Sequence, residues 1–345
     1  MKSIYDLTFT DLENFFLTNS EKKYRARQVF DWLYKKNIES FELMSNLNDS
    51  SLTLLTNNFY FPRLKKVKQL ASFDGTVKYL YQLADGNLIE SVIMRHNYGN
   101  SICITTQVGC NMGCKFCASG VIKKVRNLTA GEMLSQIIES QKYFKDRISH
   151  VIVMGIGEPF DNYDNLISFL TNVNDYRALE IGARHITVST CGIVPKIKEF
   201  ADEKLQINLA ISLHAPTDEI RNKIMPINKK YPISELIEAI KYYLSKTNRR
   251  VTIEYLMLKD LNDQKQHAQK LAELLKGLNV YVNLIPYNEV YEAPYKRSDE
   301  TLMNEFFQVL KQNKINATLR KEQGHDIDAA CGQLRSQVIK KGATF

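Results

Sequence analysis

The chain has 345 residues, 44% of them hydrophobic and 24% charged, a balance that excludes wholesale disorder, collagen-like repeats and a small scaffold that needs staples. At roughly 150 residues per domain this length suggests about two domains, with enough chain to bury a sizeable core. Net charge is +8 and pI near 9.0, an excess that suits a polyanionic partner where the charges gather on one face and otherwise serves solubility. No apolar run approaches the roughly 18 residues of a membrane span, and Met1 to Thr10 lacks the basic-then-apolar form of an export signal. The expectation is a cytoplasmic protein without a membrane partner.

The first 60 or so residues predict helices. Ser20 is a candidate N-cap, and Ala26, Val29, Phe30 and Leu33 follow the spacing of one buried helical face. Basic groups come in short clusters: Lys22, Lys23, Arg25 and Arg27; Lys65, Lys66 and Lys68; Lys123, Lys124 and Arg126; Arg249 and Arg250. The N-terminal part reads either as a small helical domain with a solvated basic face or as a docking platform for RNA. Residues 66–72, 76–83, 88–94 and 101–106 then alternate as strands, broken by Asp74-Gly75 and Asp85-Gly86, which are hairpin signals.

After residue 128, helix and strand alternate. Thr129-Ala-Gly-Glu132 has the form of a capping box. Strands are expected over 150–156, 185–189, 206–213, 250–257, 280–285 and 317–320, with helices over 234–243, 263–275 and 301–312. Such alternation builds a parallel sheet, doubly wound or rolled into a full or partial barrel, with its site at the carboxyl ends of the strands.

Six cysteines stand at 103, 110, 114, 117, 191 and 331. In a cytosolic chain, clustered thiols point to metal or catalysis before structural disulfides. Gly109-Cys110-Asn-Met-Gly-Cys114-Lys-Phe-Cys117 spaces three of them as C-x3-C-x2-C. Zinc ribbons prefer two C-x2-C pairs, and no second pair exists here. A cubane iron–sulfur cluster usually takes four thiolates, so three local ligands would leave one iron open.

That spacing, with an aromatic before the last Cys, resembles the signature of radical S-adenosylmethionine (SAM) enzymes. Three further stretches narrow the resemblance: Ser-Ile-Cys103-Ile-Thr-Thr before the cluster motif, Gly155-Ile-Gly157-Glu158-Pro159 after a strand, and Asp326-Ile-Asp-Ala-Ala-Cys331-Gly-Gln-Leu near the end. Together they are similar to the RlmN/Cfr family of RNA adenine methyltransferases, over nearly the whole chain and in family order. The resemblance implies a partial (β/α)6 TIM-like barrel with an N-terminal helical domain and a β-meander extension. Its expected units are 1–62 (RNA docking), 63–95 (meander), 96–326 (core) and 327–345 (a tail carrying Cys331).

The resemblance also implies the site. Cys110, Cys114 and Cys117 would hold one [4Fe-4S] cluster. Gly157, Glu158, Ser189, Ser212, Leu213, His214 and Asn288 would contact SAM. One SAM would methylate Cys331, and a second would yield a radical that takes hydrogen from the new methyl group. The methylene would add to the adenine, Glu90 would accept the ring proton, and Cys103 would free the product through a transient disulfide. Cys191 has no matching role and reads as a small buried hydrophobe. Tyr98, Tyr287 and Tyr291 are candidates for stacking on a base. The implied partners are 23S rRNA and tRNA, with a flavodoxin- or ferredoxin-like electron donor, and the chain is expected to be a monomer.

Gly-Glu-Pro159-Phe resembles the RlmN branch, which methylates adenine carbon 2, where Cfr-like sequences tend to have Ala in place of Pro159. Gln323-Gly324-His325 follows neither branch closely. The competing readings are Cfr-like methylation of carbon 8, a non-catalytic iron–sulfur or zinc RNA-binding module, and an iron–sulfur electron carrier.

Overall fold

Alternating apolar residues and Asp-Gly turns build one sheet that runs through most of the chain. The computed structural model describes residues 1–291 and 293–334; the 335–345 part of the expected tail lies outside them. Strand β1 (Lys2–Ser3) pairs in parallel with β2 (Phe59–Tyr60), closing a unit of three helices, α1 (Phe9–Thr18), α2 (Arg25–Phe30) and α3 (Asp49–Asn58). Ala26, Val29, Phe30 and Leu33 are each at most 1% exposed, as their spacing requires. Ser20 is not an N-cap. It follows the end of α1 with a positive φ of 60°, and the cap of α1 is Thr8, whose hydroxyl accepts from the Asp11 N–H. The unit is tied to the rest through Asp6, which accepts from the Gly131 N–H at 2.7 Å.

A meander follows: β3 (Lys65–Ala71), β4 (Val77–Gln82), β5 (Leu88–His96) and β6 (Gly99–Cys103), paired antiparallel in turn. The short pair β7 (Gln107–Val108) and β8 (Arg126–Asn127) brackets the cysteine loop. Helix and strand then alternate through α4 (Ala130–Tyr143), β9 (Ile148–Val153), α5 (Tyr163–Asn174), β10 (Ile186–Thr190), α6 (Val194–Asp202) and β11 (Asn208–Ser212). The series continues with α7 (Asp218–Ile224), α8 (Ile233–Thr247), β12 (Val251–Met257), α9 (Lys265–Leu275), β13 (Val280–Pro286), α10 (Glu300–Gln312) and β14 (Ala317–Leu319).

Strand β6 belongs to both halves. It is antiparallel to β5 and parallel to β9, so meander and core form one ten-stranded sheet in the order β14-β13-β12-β11-β10-β9-β6-β5-β4-β3. The expected boundary between residues 95 and 96 therefore falls inside β5. Val92 on β5 and Pro286 on β13 border the same cavity although six strand steps separate them. A flat sheet would put them about 29 Å apart at ~4.8 Å per step. The sheet must curl, and since it does not close it is the partial barrel, with six helical crossovers. The main core lies between this barrel and its helices and is continuous with that of the N-terminal unit.

Candidate active site

The carboxyl ends of the parallel strands surround a cleft with about 1000 Å³ of atom-free space. Cys110, Cys114 and Cys117 border it from the loop after β7. Gly109 makes this loop possible: its φ is 76°, and a Cβ there would stand 2.3 Å from the Lys123 carbonyl oxygen. The Cys110 N–H donates to the Ile122 carbonyl at 2.9 Å and the Cys117 N–H to that of Cys114 at 3.2 Å, curling the loop around the thiols. Burial pushes the Cys110 thiol up to about 12 and raises Cys114 and Cys117 as well.

Among the described residues, no three His, Cys, Asp or Glu groups converge on a point that would hold a single ion. The thiols line a common space instead, which fits a polynuclear centre held by three soft donors from one loop. Cys191 and Cys331 border the cleft from other elements. The Cys191 thiol bonds to the Glu158 carboxylate, and Arg320 Nη1 donates to Cys331 Sγ at 3.5 Å. Cys191 is buried in an apolar cluster, as expected, and is at the same time a wall of the site.

Gly157, Glu158, Ser189, Ser212 and His214 all border the cleft. Gly157 has φ 107°, and a Cβ there would meet that of Gln107 at 2.6 Å. The buried Glu158 carboxylate accepts from Thr190 Oγ1 at 2.7 Å, the Cys191 N–H at 2.8 Å and the Phe160 N–H at 3.0 Å. Burial raises its pKa against the pull of these donors. Its lone pairs are largely spent within the chain, so it braces the turn as well as bordering the cleft. His214, also at positive φ, accepts from the Leu256 N–H through Nδ1 at 3.0 Å. Burial holds it down at about 3, so the ring is neutral and that bond assigns its proton to Nε2.

Leu213 points away. Strand alternation sends Ser212 and His214 toward the cleft and Leu213, 0% exposed, into the core under the helices. Arg221 on α7, also 0% exposed, draws these strand ends together: its guanidinium donates to the carbonyls of Leu213, Ser212 and Cys191 and to Asn228 Oδ1.

Asn288 lies in a second, smaller cavity with Cys103, Val92 and Met94. Its Oδ1 is buried with no hydrogen-bond partner among the described residues, an acceptor waiting for a donor. Met154, Ile285, Arg320 and Cys331 border both cavities and so form the partition between them. Cys331 thus faces the cysteine loop on one side and Cys103 on the other. Both are free thiols. Burial, reinforced by the Cys331 sulfur, pushes Cys103 up to about 12, while Arg320 is raised chiefly by Cys331, with Glu254 and Cys103 adding to it.

Glu90 borders neither cavity. It is buried on β5, two residues before Val92, which pairs with Cys103, and it forms an ion pair with Lys78 at 3.7 Å. Tyr287, 2% exposed, donates to the Phe116 carbonyl and is a wall of the cleft, whereas Tyr98 and Tyr291 are exposed. Sequence reasoning missed Arg320, Arg221, Glu254 and Lys78. Only Lys78 carried a signal, a lysine between Val77 and Tyr79 in a strand otherwise rich in apolar and aromatic residues.

A thiol-lined cleft at the carboxyl ends of a partial barrel defines a radical SAM protein, and residues 104–272 match the model of the radical SAM superfamily. Residues 2–59 match the ribosomal RNA large subunit methyltransferase N-terminal domain. The chain is 58% identical to the probable dual-specificity RNA methyltransferase RlmN of Acholeplasma laidlawii, covering 97% of this chain and 99% of that one. It is 57% identical to the protein of the same description in Enterococcus faecalis, over 99% and 98% of the two chains. A solved radical SAM methyltransferase from Sphaerobacter thermophilus superposes with a TM-score of 0.91 at 40% identity, covering 97% of this chain and 99% of that one. The chain belongs to the RlmN family of radical SAM RNA methyltransferases.

Proposed function

We propose that this chain methylates carbon 2 of an adenine in 23S rRNA and of the adenine just 3′ of the anticodon in certain tRNAs, with Cys331 as the covalent carrier of the methyl group. The observation that carries the mechanism is the position of Cys331 in the partition, open to the cleft and to the cavity of Cys103. A carrier has to meet its donor and its resolving partner in turn, and this residue borders both.

Cys110, Cys114 and Cys117 would hold a [4Fe-4S] cluster, and SAM would lie in the cleft against Gly157, Glu158, Ser189, Ser212 and His214, with Asn288 reaching it from the second cavity. When bound, the pair supplies the methyl group and, from a second SAM molecule, the radical that removes a hydrogen atom from it. The chain supplies the rest. Cys331 Sγ accepts the methyl group and presents its carbon to the adenine, with Arg320 fixing the sulfur. Glu90 accepts the proton from carbon 2, and the one electron this leaves on the ring would be taken up by the cluster, leaving a closed-shell thioether on Cys331. Cys103 Sγ then attacks Cys331 Sγ: the sulfur–sulfur bond forms as the bond to the methylene carbon breaks, and that carbon takes a proton to become the product methyl. The backbone of the target must deliver an unstacked base to so buried a site. The 1–62 unit and the meander would grip the phosphates around it. A small flavodoxin- or ferredoxin-like donor would supply electrons to the monomer.

No helix among the described residues is long and apolar enough to cross a membrane. The test is anaerobic reconstitution with iron and sulfide, followed by turnover on 23S rRNA fragments and tRNA with mass spectrometry of the digested nucleosides. 2-Methyladenosine is the expected product. Cleavage of SAM without RNA methylation, or 8-methyladenosine instead, overturns the reading.

A further inference from the structure

The segment that carries Cys331 is fastened to the tip of the β3–β4 hairpin, an element remote from it in sequence. Asp74 accepts from the Gly324 N–H at 2.8 Å, and Ser72 Oγ donates to Asp326 at 2.5 Å. Gly324 packs so closely that a Cβ there would meet that of Ala329 at 2.7 Å and a methyl carbon of Thr76 at 2.9 Å. One strand residue beyond the hairpin, Lys78 extends this contact inward. Its ammonium donates to the Asp328 carbonyl at 2.9 Å, three residues before Cys331, and stands 3.7 Å from Glu90 Oε1. Both side chains of this ion pair are buried, 8% and 4% exposed.

A lysine is almost never buried without a use for its charge, and a carboxylate buried between strands stays charged only beside a cation. Only the charged carboxylate accepts a proton. We propose that Lys78 is a positioning residue that couples the proton acceptor to the carrier: one ammonium keeps the Glu90 carboxylate charged and aimed, and the same ammonium binds the backbone of the docked Cys331 segment. The base is then fully assembled when the carrier is in place. This rests on the reading of Glu90 as the acceptor of the carbon-2 proton, which passes from carbon to a Glu90 oxygen with no other bond made or broken by Lys78.

The experiment compares Lys78→Met, Lys78→Arg and Glu90→Gln in the full-length reconstituted enzyme. Single turnovers are run on RNA whose target adenine carries hydrogen or deuterium at carbon 2. Cluster absorbance and the thermal melting temperature are the folding controls, methyl loading of Cys331 is read as a mass increase on its peptide, and Lys78→Gln replaces the Met variant where the folding controls fail. Lys78→Met is expected to fold normally and, compared per loaded Cys331, to form product about tenfold to a hundredfold more slowly, less than the roughly hundredfold to ten-thousandfold that removal of the base itself would cost. Its deuterium isotope effect should exceed the wild-type value, because proton removal has become limiting. Lys78→Arg should restore most of the rate with the wild-type isotope effect. A purely structural role would slow turnover without enlarging the isotope effect, and that result overturns the inference, as does a wild-type rate in Lys78→Met. Glu90→Gln separates the two readings. If it blocks product while Lys78→Met does not, only the coupling falls; if it turns over normally, the assignment of Glu90 falls and the coupling with it.

Discussion

The sulfur proposed to carry the methyl group accepts from one guanidinium and lies in the partition between two cavities. Because Cys331 borders the cleft and Cys103 only the smaller cavity, their substitutions should fail at different steps. Cys331→Ala is expected to load no methyl group and form no RNA adduct. Cys103→Ala is expected to trap the chain on its RNA through the Cys331 thioether, as a nuclease-sensitive band of reduced gel mobility. Two variants alike in lacking trapped RNA would sink the carrier-and-resolver assignment. The pH dependence follows from burial. Cys103 is pushed up to about 12, so below that pH its attacking thiolate is a minor species that grows about tenfold with each unit of pH. Release of product from the adduct, measured after rapid mixing, should therefore quicken up to about tenfold per unit between about pH 7 and 9 where this step limits. A rate indifferent to pH would mean that another step limits or that another group attacks. The roles proposed for Cys103 and Cys331 came from resemblance, since a lone cysteine outside a cluster motif otherwise reads as a small buried hydrophobe, as Cys191 does. Glu90 was legible only through resemblance, since a carboxylate on an alternating strand ordinarily faces water. Arg320 gave no local sign, and Lys78 only that of a lysine in an apolar and aromatic strand, because their meaning lies in partners 11 and 250 residues away.

At the scale of elements, what could be read locally was read well. The Thr129 capping box forms as its sequence demands: Thr129 Oγ1 accepts from the Glu132 N–H at 3.2 Å, and Glu132 accepts from the Thr129 N–H at 3.0 Å. Arg126 forks onto the same carboxylate at 2.7 and 2.8 Å. Thr129→Ala should cost about 1 kcal/mol in chemical denaturation while leaving the cleft intact. Ser20 misled because its apparent helix begins at Arg25, five residues on, after a left-handed turn that ends α1. The Gly157 turn was visible as a glycine pair, but the reason for its glycine was not. The constraint is Gln107, fifty residues earlier, whose Cβ leaves no room for another. Gly157→Ala has to accommodate both that contact and a φ of 107°, so it is expected to shift the Glu158 brace and abolish SAM binding in equilibrium dialysis. Retained affinity would show that the turn tolerates displacement. Nothing in local spacing could reveal that β6 serves two halves of one sheet, because pairing direction is a property of partners and not of the strand itself.

For the whole molecule, the question is how an excess of eight positive charges meets a polyanion. The basic clusters counted in the sequence are not equivalent once folded. Lys23 pairs with Glu13, Arg27 with Asp31, Lys124 with Asp161, and Arg126 with both Asp85 and Glu132. Those cations are partly neutralised within the chain and would contribute less to phosphate binding. Lys22, Lys65 and Lys68 are exposed, and no ion pair involves them among the described residues. They lie in the N-terminal unit and on β3, the parts assigned above to gripping RNA. A phosphate neutralised by a lysine releases condensed counterions, so each such contact on single-stranded RNA steepens the log–log dependence of affinity on salt by about 0.7. Replacing Lys22, Lys65 and Lys68 together by Ala should lower that slope by about 2 if all three touch phosphate, and should weaken binding at low salt much more than at high salt. Replacing the paired Lys23, Arg27 and Arg126 should change the slope less, although it removes as many positive charges. In the proposed mechanism methyl loading of Cys331 precedes the RNA step, so it should be normal in the exposed-lysine variant, which separates lost docking from lost folding. Equal slopes for that variant and the wild type would move the docking surface elsewhere on the molecule.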